Sequence, residues 1–149
     1  MHYDALTLAC MAHELQTTLV DGRVQQVVLP NAESIGLEVY AGRVRHNLLI
    51  SAQNGAAWVY CPSQKARRGV ETETPLLQLL RKYVRNALLT QVRQPDPTER
   101  VLWLDFTHLQ HGATSLVVEL IGRHPNVLLL NAQGRILQCV HRVRGHAGN

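Results

Sequence analysis

The chain has 149 residues, 46% of them hydrophobic, and no low-complexity stretch, which argues against a disordered chain and fits one domain. At this size folding buries roughly 70% of the unfolded surface. The net charge of +4 comes from 15 basic residues, of which only Lys65 and Lys82 are lysine. Arginine gives planar, bidentate phosphate recognition and stacks on bases, so the bias suits nucleic acid; GC-rich codon usage would produce the same bias.

The first helix is expected behind Asp4 as N-cap, with apolar positions Leu8, Met11, Ala12, Leu15 and Leu19 three and four residues apart. Cys10 falls on the same expected apolar face. Asp21-Gly22 is a stop signal, because glycine tolerates the left-handed conformation that follows a helix. Short strands follow: RVQQVVL from Arg23, SIGLEVY from Ser34, RHNLLIS from Arg45 and AAWVY from Ala56, separated by turn-rich PNAE, AGR and QNG.

Residues 61–74, CPSQKARRGVETET, are polar and unpatterned. They read as a mobile surface loop carrying Lys65, Arg67 and Arg68. Pro75 then starts a second helix, LLQLLRKYVRNAL, whose polar side would bring Arg81, Lys82 and Arg85 together as a basic surface. The last third returns to strands: LLTQVRQ from Leu88, RVLWLDFT from Arg100, SLVVELI from Ser115, NVLLLN from Asn126 and RILQCVHRV from Arg135. DFTHLQHGATS reads as a long hairpin turn and NAQGR as a short one. Two helices with eight or nine short strands give α+β, a mostly antiparallel β-sandwich or flattened barrel flanked by the helices, in a single domain over 1–149.

The chemical signals are sparse. Cys10, Cys61 and Cys139 lack CxxC spacing, which argues for a reducing cytosol and against a disulfide framework or zinc site. His108 and His111 share a turn, and the other six histidines are scattered without ligand spacing, so no metal or other cofactor is expected. No GxSxG, P-loop or dinucleotide fingerprint occurs. The N-terminus MHYDALTL shows no secretory signal and no run is long enough to span a bilayer, so the expected location is cytoplasmic.

Two stretches hold more interest. QPDPTERVLWLDF puts Glu99 and Arg100 at the start of an apolar strand, where the acid could orient the guanidinium toward phosphate or base, or where both could simply be solvated. In ELIGRHPNVLLL, Gly122 permits a tight turn and Pro125 holds His124 extended, which suits a strand corner as well as a binding site aimed by Arg123.

At these residues a family resemblance enters. MHYDALTLACMAHEL with DGRVQQVVLP, LLISAQNGAAWVY, PLLQLLRKYV and above all ELIGRHPNVLLLNAQGRIL resemble the N-terminal domain of the NFACT proteins, also called fibronectin-binding protein A. Gln53 stands where that family usually has histidine, and Glu99 where it has aspartate. The resemblance implies a fold similar to the N-terminal domain of formamidopyrimidine-DNA glycosylases. It also implies a non-catalytic, tRNA-handling role in ribosome quality control, in which full-length members bind obstructed large ribosomal subunits carrying stalled peptidyl-tRNA. There they recruit aminoacyl-tRNA for template-free tailing of stalled chains. Carried over residue by residue, the tRNA-facing positions are Asp4, Glu99, Arg100, Glu119, Leu120, Ile121, Arg123 and His124. Rival readings are a DNA glycosylase, whose N-terminal proline nucleophile has no counterpart in Met-His-Tyr-Asp, and a fibronectin-binding adhesin, for which no signal or anchor is visible.

Overall fold

The computed structural model describes residues 4–66, 69, 73–121 and 124–142. Asp4 opens helix α1, Ala5–Thr18, by accepting the Thr7 N–H at 2.7 Å. Leu8, Ala12 and Leu15 form its buried stripe, and Leu19, just past the helix, is fully buried too. Cys10 is exposed, contrary to its expected place on the apolar face. Lying two residues from both Leu8 and Ala12, it projects from the far side of the helix.

The stop after α1 works differently from the sequence reading. Asp21, at φ 70°, takes the left-handed conformation. Gly22 is required by space: a Cβ there would meet Val39 Cγ1 at 2.7 Å and Ala41 Cβ at 2.8 Å.

Nine strands follow: β1 Arg23–Asn31, β2 Ser34–Ala41, β3 Val44–Gln53, β4 Ala56–Tyr60, β5 Leu88–Arg93, β6 Val101–His108, β7 Gly112–Glu119, β8 Asn126–Asn131 and β9 Ile136–Cys139. They pair antiparallel in the order β4-β3-β2-β1-β5-β6-β7-β8-β9. The α+β expectation therefore holds.

The seam between β1 and β5 is narrow. Arg23 pairs with Leu88, and short bonds join Asp21, Gly22 and Val24 to Asn86, Ala87 and Leu89. Beyond it β5 loses its strand neighbour and α1 takes over, with the Gln16 side-chain carbonyl accepting the Val92 N–H at 2.9 Å. Core side chains from both sides of the seam, among them Ile35, Ile50, Leu104, Phe106, Leu116 and Leu129, form one cluster with Leu8 and Leu15. At the far edge the His141 ring donates from Nε2 to the Ala52 carbonyl at 2.8 Å, tying the end of the last strand to β3.

Helix α2, Pro75–Tyr83, has Thr74 as N-cap and Pro75 in its first turn, as expected. It stops five residues before the predicted end at Leu88, because Asn86 turns left-handed at φ 70° and the chain enters β5. Arg85 therefore lies beyond the helix, while Arg81 is paired with Glu73. The expected long turn at DFTHLQHGATS is also corrected: β6 runs to His108 and β7 starts at Gly112, whose φ of 80° closes a tight hairpin.

Within the 61–74 segment, Lys65 pairs with Glu38 at 3.4 Å and the Gly69 N–H reaches the Leu29 carbonyl. This part of the segment lies across the outer side of β1–β3, and Gly36 is required by space, since a Cβ there would meet Val28 Cγ2 at 2.9 Å and Ala66 Cβ at 3.1 Å. Arg67 and Arg68 lie outside the described residues.

Candidate nucleic-acid interface

Three distant parts of the chain converge at one end of the sheet. Gln94, just after β5, donates its side-chain N–H groups to the Ala5 carbonyl at 3.3 Å and to the Glu99 carbonyl at 2.7 Å. One amide thus holds the start of α1, with Asp4, against the approach to β6. The Leu120 N–H donates to the Arg100 carbonyl at 2.9 Å, and Val101 pairs with Glu119. Glu119 in turn pairs with Asn126, whose side chain clasps the His141 backbone at 2.8 Å in both directions.

The corner so built contains Asp4, Glu99, Arg100, Glu119, Ile121 and His124. Asp4, Glu99 and His124 are exposed, and Ile121 is 45% exposed. Leu120, unlike these, is 5% exposed and belongs to the core, where it fixes the strand end. Arg123, with Gly122, lies outside the described residues.

Among its described residues the corner is acidic rather than basic. Hydrogen bonds from Thr7 lower the pKa of Asp4, and those from Thr98 lower that of Asp96, so both stay ionised. Burial pushes the half-buried Glu119 carboxyl up. Several carboxylates around Arg100 do not make a phosphate sink; they accept hydrogen bonds from amines and imino groups, such as those on base edges.

The expected basic surface lies elsewhere. Tyr83, the last residue of α2, meets the His111 ring edge-on at 5.8 Å, and Lys82 sits 5.1 Å from the Tyr83 ring centre. His111 is at the β6–β7 hairpin, whereas Arg100 adjoins the other end of β6. The strand's length of about 23 Å separates them. His108 and His111 stack at 4.7 Å, and His108 Nδ1 accepts backbone N–H groups of Gln110 and His111. Burial and then His111 lower the pKa of His108. Among the described residues no three His, Cys, Asp or Glu side chains group as a metal site, and no helix is long and apolar enough to cross a membrane.

Sequence reading missed Gln94, Arg93 and Trp103. Arg93 and Trp103 are directly opposed across β5 and β6, with the guanidinium carbon 4.4 Å from the indole centre. Alternation along β6 could have placed Trp103 and Asp105 on one face, but only the register brings Arg93 to them.

Comparison with known proteins points one way. Residues 4–148 match the family described as NFACT N-terminal and middle domains. The protein called Rqc2 homolog RqcH of Streptococcus suis is 28% identical over 148 residues, covering 96% of this chain and 26% of its own length. Its namesake in Bacillus subtilis is 23% identical, covering 92% of this chain and 24% of its own. The chain thus spans about a quarter of the length of these relatives. Among solved structures, the N-terminal domain of fibronectin-binding protein PavA from Streptococcus pneumoniae superposes with a TM-score of 0.89 at 23% identity, over 99% of this chain and 59% of that one. The N-terminal part of the fibronectin/fibrinogen-binding protein from Streptococcus suis also scores 0.89, at 25% identity, over 99% and 57%.

Proposed function

The chain belongs to the NFACT N-terminal and middle domain family, and from that premise we propose that it is the tRNA-handling part of a cytoplasmic ribosome quality-control factor. The whole protein would bind obstructed large ribosomal subunits and recruit aminoacyl-tRNA for template-free extension of stalled chains. The observation that carries the reading is the corner at which Gln94 and the β6–β7 pairing gather Asp4, Glu99, Arg100 and Glu119. Its chemistry suits unpaired bases: arginine donates to acceptors on base edges while carboxylates accept from exocyclic amines, and RNA is read mainly where its bases are unpaired. Positive charge for the phosphates would come from Lys82 and its neighbours at the far end. No covalent step is assigned to this domain, whose fold we read as serving only to bind.

Titration of labelled tRNA with the protein across a salt series tests this. The Arg100→Ala, Arg123→Ala double variant should bind tRNA roughly 10- to 100-fold more weakly, as loss of base contacts entails. Asp4→Asn keeps the helix cap, so any loss it causes reports the missing charge. Undiminished tRNA binding by the double variant would remove the corner from the interface. Damaged DNA duplexes should be left uncut; turnover would reverse the non-catalytic reading. A second reading, fibronectin binding, rests on the names of the structural neighbours and requires saturable capture of fibronectin by the folded domain.

A further inference from the structure

One ladder row in from Glu119, on the same outer face of the sheet, three strands build a small rigid assembly. Register places Arg93, Trp103 and Val117 side by side, with Gln91, Asp105 and Ser115 in the adjoining row. The Arg93 guanidinium lies 4.4 Å from the indole centre. Its Nε donates to Asp105 Oδ2 at 2.8 Å and its Nη2 to Oδ1 at 3.4 Å. Ser115 Oγ donates to Asp105 Oδ1 at 2.6 Å, and Thr90 Oγ1 to the Asp105 carbonyl at 3.1 Å. Arg93 nevertheless keeps 37% of its side chain exposed.

We propose that Arg93, laid on Trp103 and held by Asp105, is a stacking seat for one unpaired RNA base. This deepens the nucleic-acid reading above and rests on it. Three physical points favour a base over other ligands. A partly exposed cation–π contact and a part-buried ion pair each stabilise the fold modestly, while ordering a long arginine side chain costs entropy, so the arrangement is better understood as preorganisation. Asp105 neutralises the guanidinium charge, which removes the attraction for phosphate but leaves a planar, weakly hydrated face backed by a polarisable ring. Such faces receive splayed-out bases. The third point is continuity. Trp103 and Val101, and likewise Val117 and Glu119, are two residues apart, about 7 Å along one face. A single strand of RNA held at the Arg100 corner therefore reaches the seat with its next bases.

The test uses a uridine heptamer with one central 2-aminopurine, whose emission falls when the base stacks. Binding to the wild-type protein should quench it, and inorganic polyphosphate should not displace it. Arg93→Lys keeps the charge and loses the plane; it should abolish the quenching and weaken binding about five- to fifty-fold. Trp103→Phe, which keeps a ring for the fold, should reduce the quenching in part. Wild-type-like quenching in Arg93→Lys, no quenching by wild-type protein, or displacement by polyphosphate would each overturn the seat. The two readings separate cleanly. Loss of tRNA binding on substituting Arg100, with Arg93→Lys unaffected in both assays, refutes the seat alone. Quenching that depends on Arg93, with no tRNA preference and no effect of Arg100, refutes the corner alone.

Discussion

Glu119 is half-buried at the end of β7, and burial alone raises its pKa. In the folded state it takes up its proton at higher pH than in the unfolded chain. Between the ordinary glutamate value and its own raised one, the native state holds more protons, so stability falls as pH rises through that window and stays reduced above it. Glu119→Gln removes that cost while keeping the shape. The variant should therefore unfold at a higher temperature than wild type at neutral pH, and the gap should close as the solution is acidified below the ordinary glutamate range. Thermal melts across pH check this; a variant less stable at neutral pH would mean the carboxylate has a stabilising partner. Binding of tRNA should move the other way, since an acceptor is lost. A charge kept at a stability cost, beside Arg100, is what a functional edge tends to carry. The sequence named Glu119 only through family resemblance, because its burial depends on strands that pair with β7 from both sides. Gly22 shows the same limit: its presence was legible, but the crowding by Val39 and Ala41 that demands it was not.

At the scale of elements, strand existence was readable from alternation, while ends and contacts were not. The hairpin at His108–Gly112 looked long because Asp105, Thr107 and Ser115 are polar, yet these are the outer-face positions of β6 and β7. Helix α2 looked longer because Val84 and Ala87 continue its apolar spacing; both are fully buried, but Asn86 has already turned the chain. Nothing in the sequence shows that α1 serves as the neighbour of β5. The Val92 N–H has the exposed Gln16 as its acceptor in a part-buried setting, so Gln16→Ala should remove that bond and destabilise the protein by about 1 kcal/mol. Gln16→Glu retains an acceptor and should lose less. Urea denaturation measures both, and an Ala variant within a few tenths of a kcal/mol of wild type would show that water replaces the side chain.

For the whole molecule the question is whether the narrow seam between β1 and β5 divides it into two units. Backbone pairing there is confined to residues near Arg23 and Leu88, which would suit independent halves. The packing says otherwise. Leu8, Leu15 and Leu19 lie in the same buried cluster as Ile35 and Ile50 from one half and Leu104 and Leu116 from the other, and Leu80 of α2 joins them. Neither half could open without exposing the side chains the other needs, and the His141 bond to Ala52 closes the far edge. The two tryptophans sit in different halves, Trp58 in β4 and Trp103 in β6. Single-tryptophan variants, Trp58→Phe and Trp103→Phe, therefore report on each half separately. Each variant, unfolded in urea, should give a tryptophan emission transition that coincides with its own far-UV circular dichroism transition, as one cooperative unit requires. If the Trp58 signal, read in Trp103→Phe, moves at lower urea than that variant's circular dichroism, the β1–β4 half unfolds on its own. A surface of bases stretched from the Arg100 corner to Arg93 would then rest on the half that remains folded, since both positions belong to the β5–β9 side.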